Sequence, residues 1–396
     1  MISKKMKGFV ANSSAIRAMF EEGKKMAARF GADHVYDFSL GNPNVPAPEA
    51  VRSAIVDIVN SENPVYVHGY MNNSGYEEVR ETLAQHLNDL YGTSYGTRNM
   101  IMTVGAAGGL NVIFKTLLNP GDEVLTVTPY FGEYRSYVGN FDGVLIESEA
   151  DPDTFWPVPS DFEKKINENT RAVILNTPNN PTGVVYPKEV LREIAELLEK
   201  KSMQYGEPIY LISDEPYREI AYDGVEVPWL PSIYKNTIVG SSYSKTLSLP
   251  GERIGYLLIP SELDDFENVV AAANCANRIL GFVNAPSLMQ LVAARCCAEK
   301  TDVGYYDRNR RLLYESLVKY GYTCVKPEGA FYLWMKAPVD DEREFTTKAK
   351  DEEQILIVPG RNFGCTGWVR IAYCVAYETI QNALPGFERL AKQYGL

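Results

Sequence analysis

Apolar and polar positions change period several times along the chain, and each change marks an element. Ser13-Ser14 reads as a helix cap, Ile16, Met19, Phe20 and Met26 then recur near helical spacing, and Gly31 closes the segment. Val35 to Leu40 is a short extended run ending at Gly41-Asn42-Pro43. Glu49 to Asn60 puts Val51, Ala54, Ile55 and Ile58 on one helical face. His68-Gly69-Tyr70 opens a loop. The helix expected after it starts at Ser74 and turns Val79, Leu83, Leu87 and Leu90 inward. Strands and helices alternate from there. Ile101–Val104, Glu123–Val127, Val144–Glu147, Ala172–Leu175 and Ile209–Ile212 are strand-length apolar runs. Leu110–Leu118 and Pro187–Gln204 read as helices between them. Strands apolar on both faces belong to a parallel sheet covered by helices. Long helices follow from about Ser261 to Tyr320, then a short strand, Phe331–Met335, and a closing helix, Glu378–Gln393.

The pattern predicts an α/β fold. A large domain is expected over residues 44–285, and a smaller domain from both chain ends, 1–43 and 286–396. With 396 residues, 45% of them apolar, the chain can fill two cores. A net charge of −12 argues against a nucleic-acid or anionic-membrane surface. No apolar run approaches the roughly 20 residues of a bilayer span, and the basic start Met1-Ile2-Ser3-Lys4-Lys5 has no apolar core behind it. Six cysteines lie scattered without a Cys-x-x-Cys pair, which fits a reducing cytoplasm and makes a structural zinc site an unfavoured reading.

The candidate chemistry centres on Ser241-Ser242-Tyr243-Ser244-Lys245, followed eight residues on by Arg253 in Gly251-Glu252-Arg253-Ile254-Gly255. Two apolar strands, Thr237–Gly240 and Ile254–Ile259, flank it. A lysine in a crowded, cationic, poorly hydrated place is partly deprotonated and can bond a carbonyl carbon. Arginine offers a planar fork for phosphate oxygens, and serine hydroxyls add donors. A polar surface loop would explain the lysine alone, but not this residue set between two buried strands.

Ser242, Lys245 and Arg253 at this spacing, with the Gly-Glu-Arg-Ile-Gly tail, resemble the lysine signature of the class I and II aminotransferases, fold-type-I enzymes that use pyridoxal phosphate. The resemblance spans nearly the whole chain. It implies a large domain with a mostly parallel seven-stranded sheet and a smaller α+β domain. Lys245 would bond the cofactor, and Ser242, Ser244 and Arg253 would hold its phosphate. Asp214, at the end of an apolar strand, would pair with the pyridine nitrogen; taken alone it is equally a helix cap. Asn180 in Asn-Pro-Thr-Gly and Tyr217 would share the cofactor's phenolic oxygen, although Asn-Pro-Thr-Gly alone is ordinary turn chemistry. Ala106 and Ala107 would offer backbone N–H groups to the phosphate, or simply allow close helix–sheet packing. Phe131 would stack on the ring, or sit in the core. Arg370, among apolar strand residues, would bind a substrate α-carboxylate together with Gly41 and Asn180, or form an internal salt bridge. Tyr70 would reach the cofactor phosphate of a second subunit, which implies a homodimer with shared active sites.

The expectation is therefore a cytoplasmic transaminase acting on an amino acid and a 2-oxo acid, without nucleic-acid or membrane partners. A β-lyase or decarboxylase would share every cofactor contact, and an idle ligand-binding protein on the same fold is a further alternative. An arginine reading dicarboxylate substrates would fall at Ile279 or, one residue away, Arg278.

Overall fold

The computed structural model describes residues 2–11 and 15–396, so the expected Ser13-Ser14 cap lies outside the described residues. Among the described residues thirteen strands form three sheets. In chain order they are β1 (Tyr36–Asp37), β2 (Met100–Thr103), β3 (Glu123–Val127), β4 (Val144–Ser148), β5 (Thr170–Asn176), β6 (Tyr210–Asp214) and β7 (Thr237–Ser242). β8 (Gly255–Leu258), β9 (Cys324–Val325), β10 (Tyr332–Lys336), β11 (Ile355–Leu356), β12 (Val358–Pro359) and β13 (Trp368–Ala372) follow.

The large sheet runs β2-β8-β7-β6-β5-β3-β4. β8 is antiparallel to both its neighbours, and the other six strands run in parallel. This is a mostly parallel seven-stranded sheet, as the resemblance implied. β6 is buried at every position, because helices cover both faces. β4 departs from the expected two-sided burial: it is the edge strand, and Val144 at its start is exposed. Because β8 runs backwards, the residues just before it lie at the same edge as the carboxyl ends of β5, β6 and β7. Asp214, Ser242 and Arg253 are thereby gathered on one side of the sheet.

The helices obey their periodicity with two shifts. Helix Glu77–Tyr91 starts three residues later than expected, because the Ser74 hydroxyl donates to Asn274 rather than capping a turn, and Leu90 faces solvent. Helix Gly105–Leu117 starts earlier, directly after β2. Gly105 makes the turn with φ +67°, a left-handed conformation that side chains resist. Helix Lys188–Tyr205 stops at Gly206, likewise left-handed.

The second unit is built on the antiparallel sheet β12-β13-β10-β9 and the parallel pair β1-β11. Pairing of β1 with β11 ties the start of the chain to its last third. Phe38, Phe331, Phe345 and Phe387 fill its core with Leu313 and Leu317 from helix Val303–Lys319. Helix Ser287–Arg295 packs on helices Glu49–Ser61 and Glu77–Tyr91, and its Met289 and Val292 share a core with Met100 and Leu258 of the large sheet. No described helix is long and apolar enough to cross a membrane.

Candidate active site

A cavity of about 270 Å³ opens at the carboxyl edge of the large sheet. Gly41, Ala106, Ala107, Phe131, Asn180, Asp214, Tyr217, Ser242, Ser244, Lys245, Arg253 and Arg370 all line it. Residues separated by hundreds of positions in sequence thus converge, as expected for the switch region of an open α/β sheet.

β6 ends at Asp214, whose side chain is buried. Its Oδ2 accepts a 2.6 Å hydrogen bond from the Tyr134 hydroxyl, and its Oδ1 has no partner. No helix begins after it, so the capping alternative fails. Burial raises the Asp214 pKa to about 7, against the pull of the Tyr134 bond. A buried, unpaired carboxylate oxygen facing a cavity calls for a cationic donor there. β5 ends next door at Asn176, which donates to the Asp214 carbonyl (2.8 Å) and accepts from the Asn180 backbone N–H (2.7 Å). That bond fixes the Asn180 turn.

Lys245 sits in the short helix Tyr243–Thr246 that follows β7. Its Nζ donates to the Gly41 carbonyl at 2.6 Å and lies 5.3 Å from the Phe331 ring centre. Burial, helped by the charges of Arg370 and Arg253 and opposed by Cys374, lowers its pKa to about 8. The amine is therefore a base within reach of neutral pH.

Arg370 comes from β13 and is 2% exposed. Nη1 donates to Asn180 Oδ1 (3.0 Å), Nη2 to the Ser39 carbonyl (2.6 Å), and Nε has no partner. The expected alternative, an internal salt bridge, is not what the structure shows. Among the described residues, no carboxylate pairs with Arg370 or with Arg253. Burial lowers the Arg370 pKa, which marks the cost of keeping an uncompensated guanidinium inside.

Arg253 stands against the first turn of helix Gly105–Leu117. A Cβ added at Gly105 would press on its guanidinium, and Ala106 and Ala107 place the free N–H groups of that turn at the cavity wall. Helix terminus, arginine, Ser242 at the end of β7 and Ser244 in the short helix after it form a cradle suited to a phosphate. Phe131 lines the same cavity, edge-on to Tyr134 at 5.7 Å. The Tyr217 hydroxyl meets that of Tyr332 at 2.8 Å.

The profile of the family described as "Aminotransferase class I and II" matches residues 33–387. The chain belongs to this family. A crystal structure titled "Amino Transferase" from Eubacterium rectale superposes on this aminotransferase with a TM-score of 0.96 and 46% identity, each chain covered completely. The aspartate aminotransferase of Thermus thermophilus with maleate superposes with a TM-score of 0.87 and 29% identity, over 98% of this chain and 99% of that one. The aspartate/prephenate aminotransferase of Thermus thermophilus is 31% identical over 91% of this chain and 92% of its own length. The enzyme is a transaminase, and its cofactor is pyridoxal 5'-phosphate. The residues present fit that group: a phosphate cradle, an aromatic wall, an unpaired buried carboxylate oxygen and a buried amine share one cavity.

Three residues weighed for this aminotransferase do not reach the cavity within the chain. Tyr70 is 94% exposed. Arg278 lies near Cys275 on the exposed side of its helix, and Ile279 points to solvent. Sequence reading passed over Tyr134, Tyr137, Tyr332 and Asn176, which also meet the cavity or its carboxylate. Asn176 had a usable signal, since it ends an apolar strand as Asp214 does. The tyrosines did not stand out among 26.

Proposed function

We propose that Lys245 is the catalytic base and cofactor anchor, that Asp214 holds the pyridine nitrogen, and that Asn180 and Tyr217 hold the phenolic oxygen. Ser242, Ser244, Arg253, Ala106 and Ala107 bind the phosphate, Phe131 covers the ring, and Arg370 with Gly41 grips the substrate α-carboxylate. The observation carrying this reading is the charge imbalance of the cavity. A buried carboxylate oxygen and a buried guanidinium, both without charged partners, face one depressed-pKa amine.

Bound pyridoxal phosphate supplies a sink for the negative charge left at the amino acid's α-carbon. The chain's own residues do the rest. Arg370 orients the substrate through a two-pronged bond to its carboxylate. Lys245 Nζ takes the α-proton and returns it at a neighbouring carbon, a task suited to an amine with a pKa near the working pH. Apolar walls from Leu40, Phe131 and Pro216 limit water.

Transamination of an amino acid with a 2-oxo acid is favoured over elimination by the names of the relatives, which include aspartate/prephenate aminotransferases and an aromatic-amino-acid aminotransferase of Thermococcus litoralis. A panel of amino acids with 2-oxoglutarate tests it: glutamate should form with at least one donor. Release of ammonia and pyruvate without glutamate would place the chain among the lyases. We also assign the protein to the cytoplasm and to a homodimer in which Tyr70 serves the partner's site. The large domain is best drawn from residue 44 to the turn before Val303, with the small domain formed by the remaining ends.

A further inference from the structure

We propose that Tyr332 is a positioning residue that joins the carboxylate-gripping half of the site to the cofactor-facing half. Tyr332 lies on β10, two residues from Trp334, the register partner of Arg370 on β13. Alternation along a strand puts Tyr332 diagonal to Arg370 on the same sheet face. Its ring centre is 4.5 Å from the Arg370 guanidinium carbon, and Phe363 flanks the same guanidinium at 4.8 Å. The charge proposed to grip a carboxylate thus lies against two aromatic rings and no acid.

The other end of Tyr332 does different work. Its hydroxyl is 2.8 Å from that of Tyr217, with the rings nearly perpendicular. A Cβ at Gly41 would run into the same hydroxyl, so the backbone that accepts from Lys245 closes over it. Both phenols are buried, and burial keeps each protonated, Tyr332 with a pKa near 12. Two hydroxyls that share one bond have one proton left over. Either hydroxyl can donate in that bond; with Tyr332 as the donor, as proposed, the Tyr217 proton is left for the cavity that Tyr217 lines. The ring therefore serves Arg370 and the hydroxyl serves Tyr217, and the two functions are separable by substitution.

Because Tyr217 matters here through bound pyridoxal phosphate, this link rests on the proposed assignment of the site. The test loads wild type, Tyr332→Phe, Tyr217→Phe and the double variant with pyridoxal phosphate and follows the pH midpoint of the visible band. Both single variants should move the midpoint in the same direction by about 0.5 pH unit or more, and the double variant no further than the larger single shift. Calorimetric binding of 3-phenylpropionate to the cofactor-free proteins reads the other half. Tyr332→Phe should stay within about twofold of wild type, and Tyr332→Leu should bind about tenfold more weakly, in line with a lost cation–π shelf. An unmoved midpoint in Tyr332→Phe, or additive shifts, would overturn the hydroxyl link. Unchanged binding in Tyr332→Leu would overturn the shelf. If Tyr332→Leu does not fold, the band shifts of the two phenylalanine variants still decide. If wild type takes up no pyridoxal phosphate, the assignment of the site fails and the hydroxyl link falls with it, while carboxylate binding is judged on its own.

Discussion

Lys245 and Asp214 are both displaced from their ordinary protonation by burial, in directions with opposite consequences for stability. Lys245 in the folded protein has a pKa of about 8 against 10.5 for a free lysine. Between these values the unfolded chain holds the extra proton, so stability should rise with pH from about 8 to 10.5. Asp214 is raised to about 7 from 3.8, so the folded state holds the extra proton between those values and stability should fall as pH rises through that window. Thermal melts of the cofactor-free protein across pH should show both slopes. Lys245→Met should flatten the upper one and Asp214→Asn the lower. Uptake of pyridoxal phosphate should accelerate through pH 8 and level off above it; a pH-independent rate would refute a neutral-amine nucleophile. Turnover in Lys245→Ala should fall by roughly 10²–10⁴-fold or more, the scale of a lost general base, measured by glutamate formation. Asp214→Asn should keep much of its phosphate-dependent cofactor binding and lose turnover. Wild-type rates in that variant would leave Asp214 without a chemical role.

At the scale of elements, the start of helix Gly105–Leu117 is the part most exposed to a single small change. Gly105 is left-handed and lies against Arg253. Gly105→Ala adds backbone strain of roughly 1–2 kcal/mol and pushes on the guanidinium. Pyridoxal phosphate affinity should drop by about tenfold or more, with a smaller loss for free pyridoxal, which lacks the phosphate. Equal losses for both would separate Arg253 from phosphate binding. The sequence displayed most of these elements, because strands buried on both faces are uniformly apolar and their polar terminators stand out, as Asp214 does. It concealed the antiparallel course of β8, since Ile254–Ile259 reads the same in either direction. It also concealed the early start of the Gly105 helix, because a run of glycine and alanine carries no helical period.

At the scale of the molecule, Tyr70 is a large ring left almost wholly in solvent on a loop whose neighbours are tied down. Asn284 donates to the Met71 and Asn72 carbonyls, and Asn73 donates to the Val283 carbonyl. The ring is thus free to meet a second subunit, as proposed. Mixing inactive Tyr70→Ala and Lys245→Ala subunits should restore about a quarter of wild-type activity, since random pairing makes half the dimers hybrid and each hybrid has one intact site. Absence of recovery, with subunit exchange confirmed by mass, would place Tyr70 in its own chain's service or in none. The role proposed for Tyr70 rests on the family resemblance alone, because a lone tyrosine carries no periodicity.

The residues proposed to face the cofactor hang from the large sheet, whereas Arg370 lies on β13 of the antiparallel sheet and Gly41 follows β1. Evolution can therefore treat them as separable traits. Substitutions along β10, β13 and the Gly41 segment can retune which amino acid is accepted while cofactor retention is inherited unchanged. The Tyr217–Tyr332 bond joins the two sets, so under the proposed link a drift in donor preference that passes through Tyr332 carries cofactor chemistry with it.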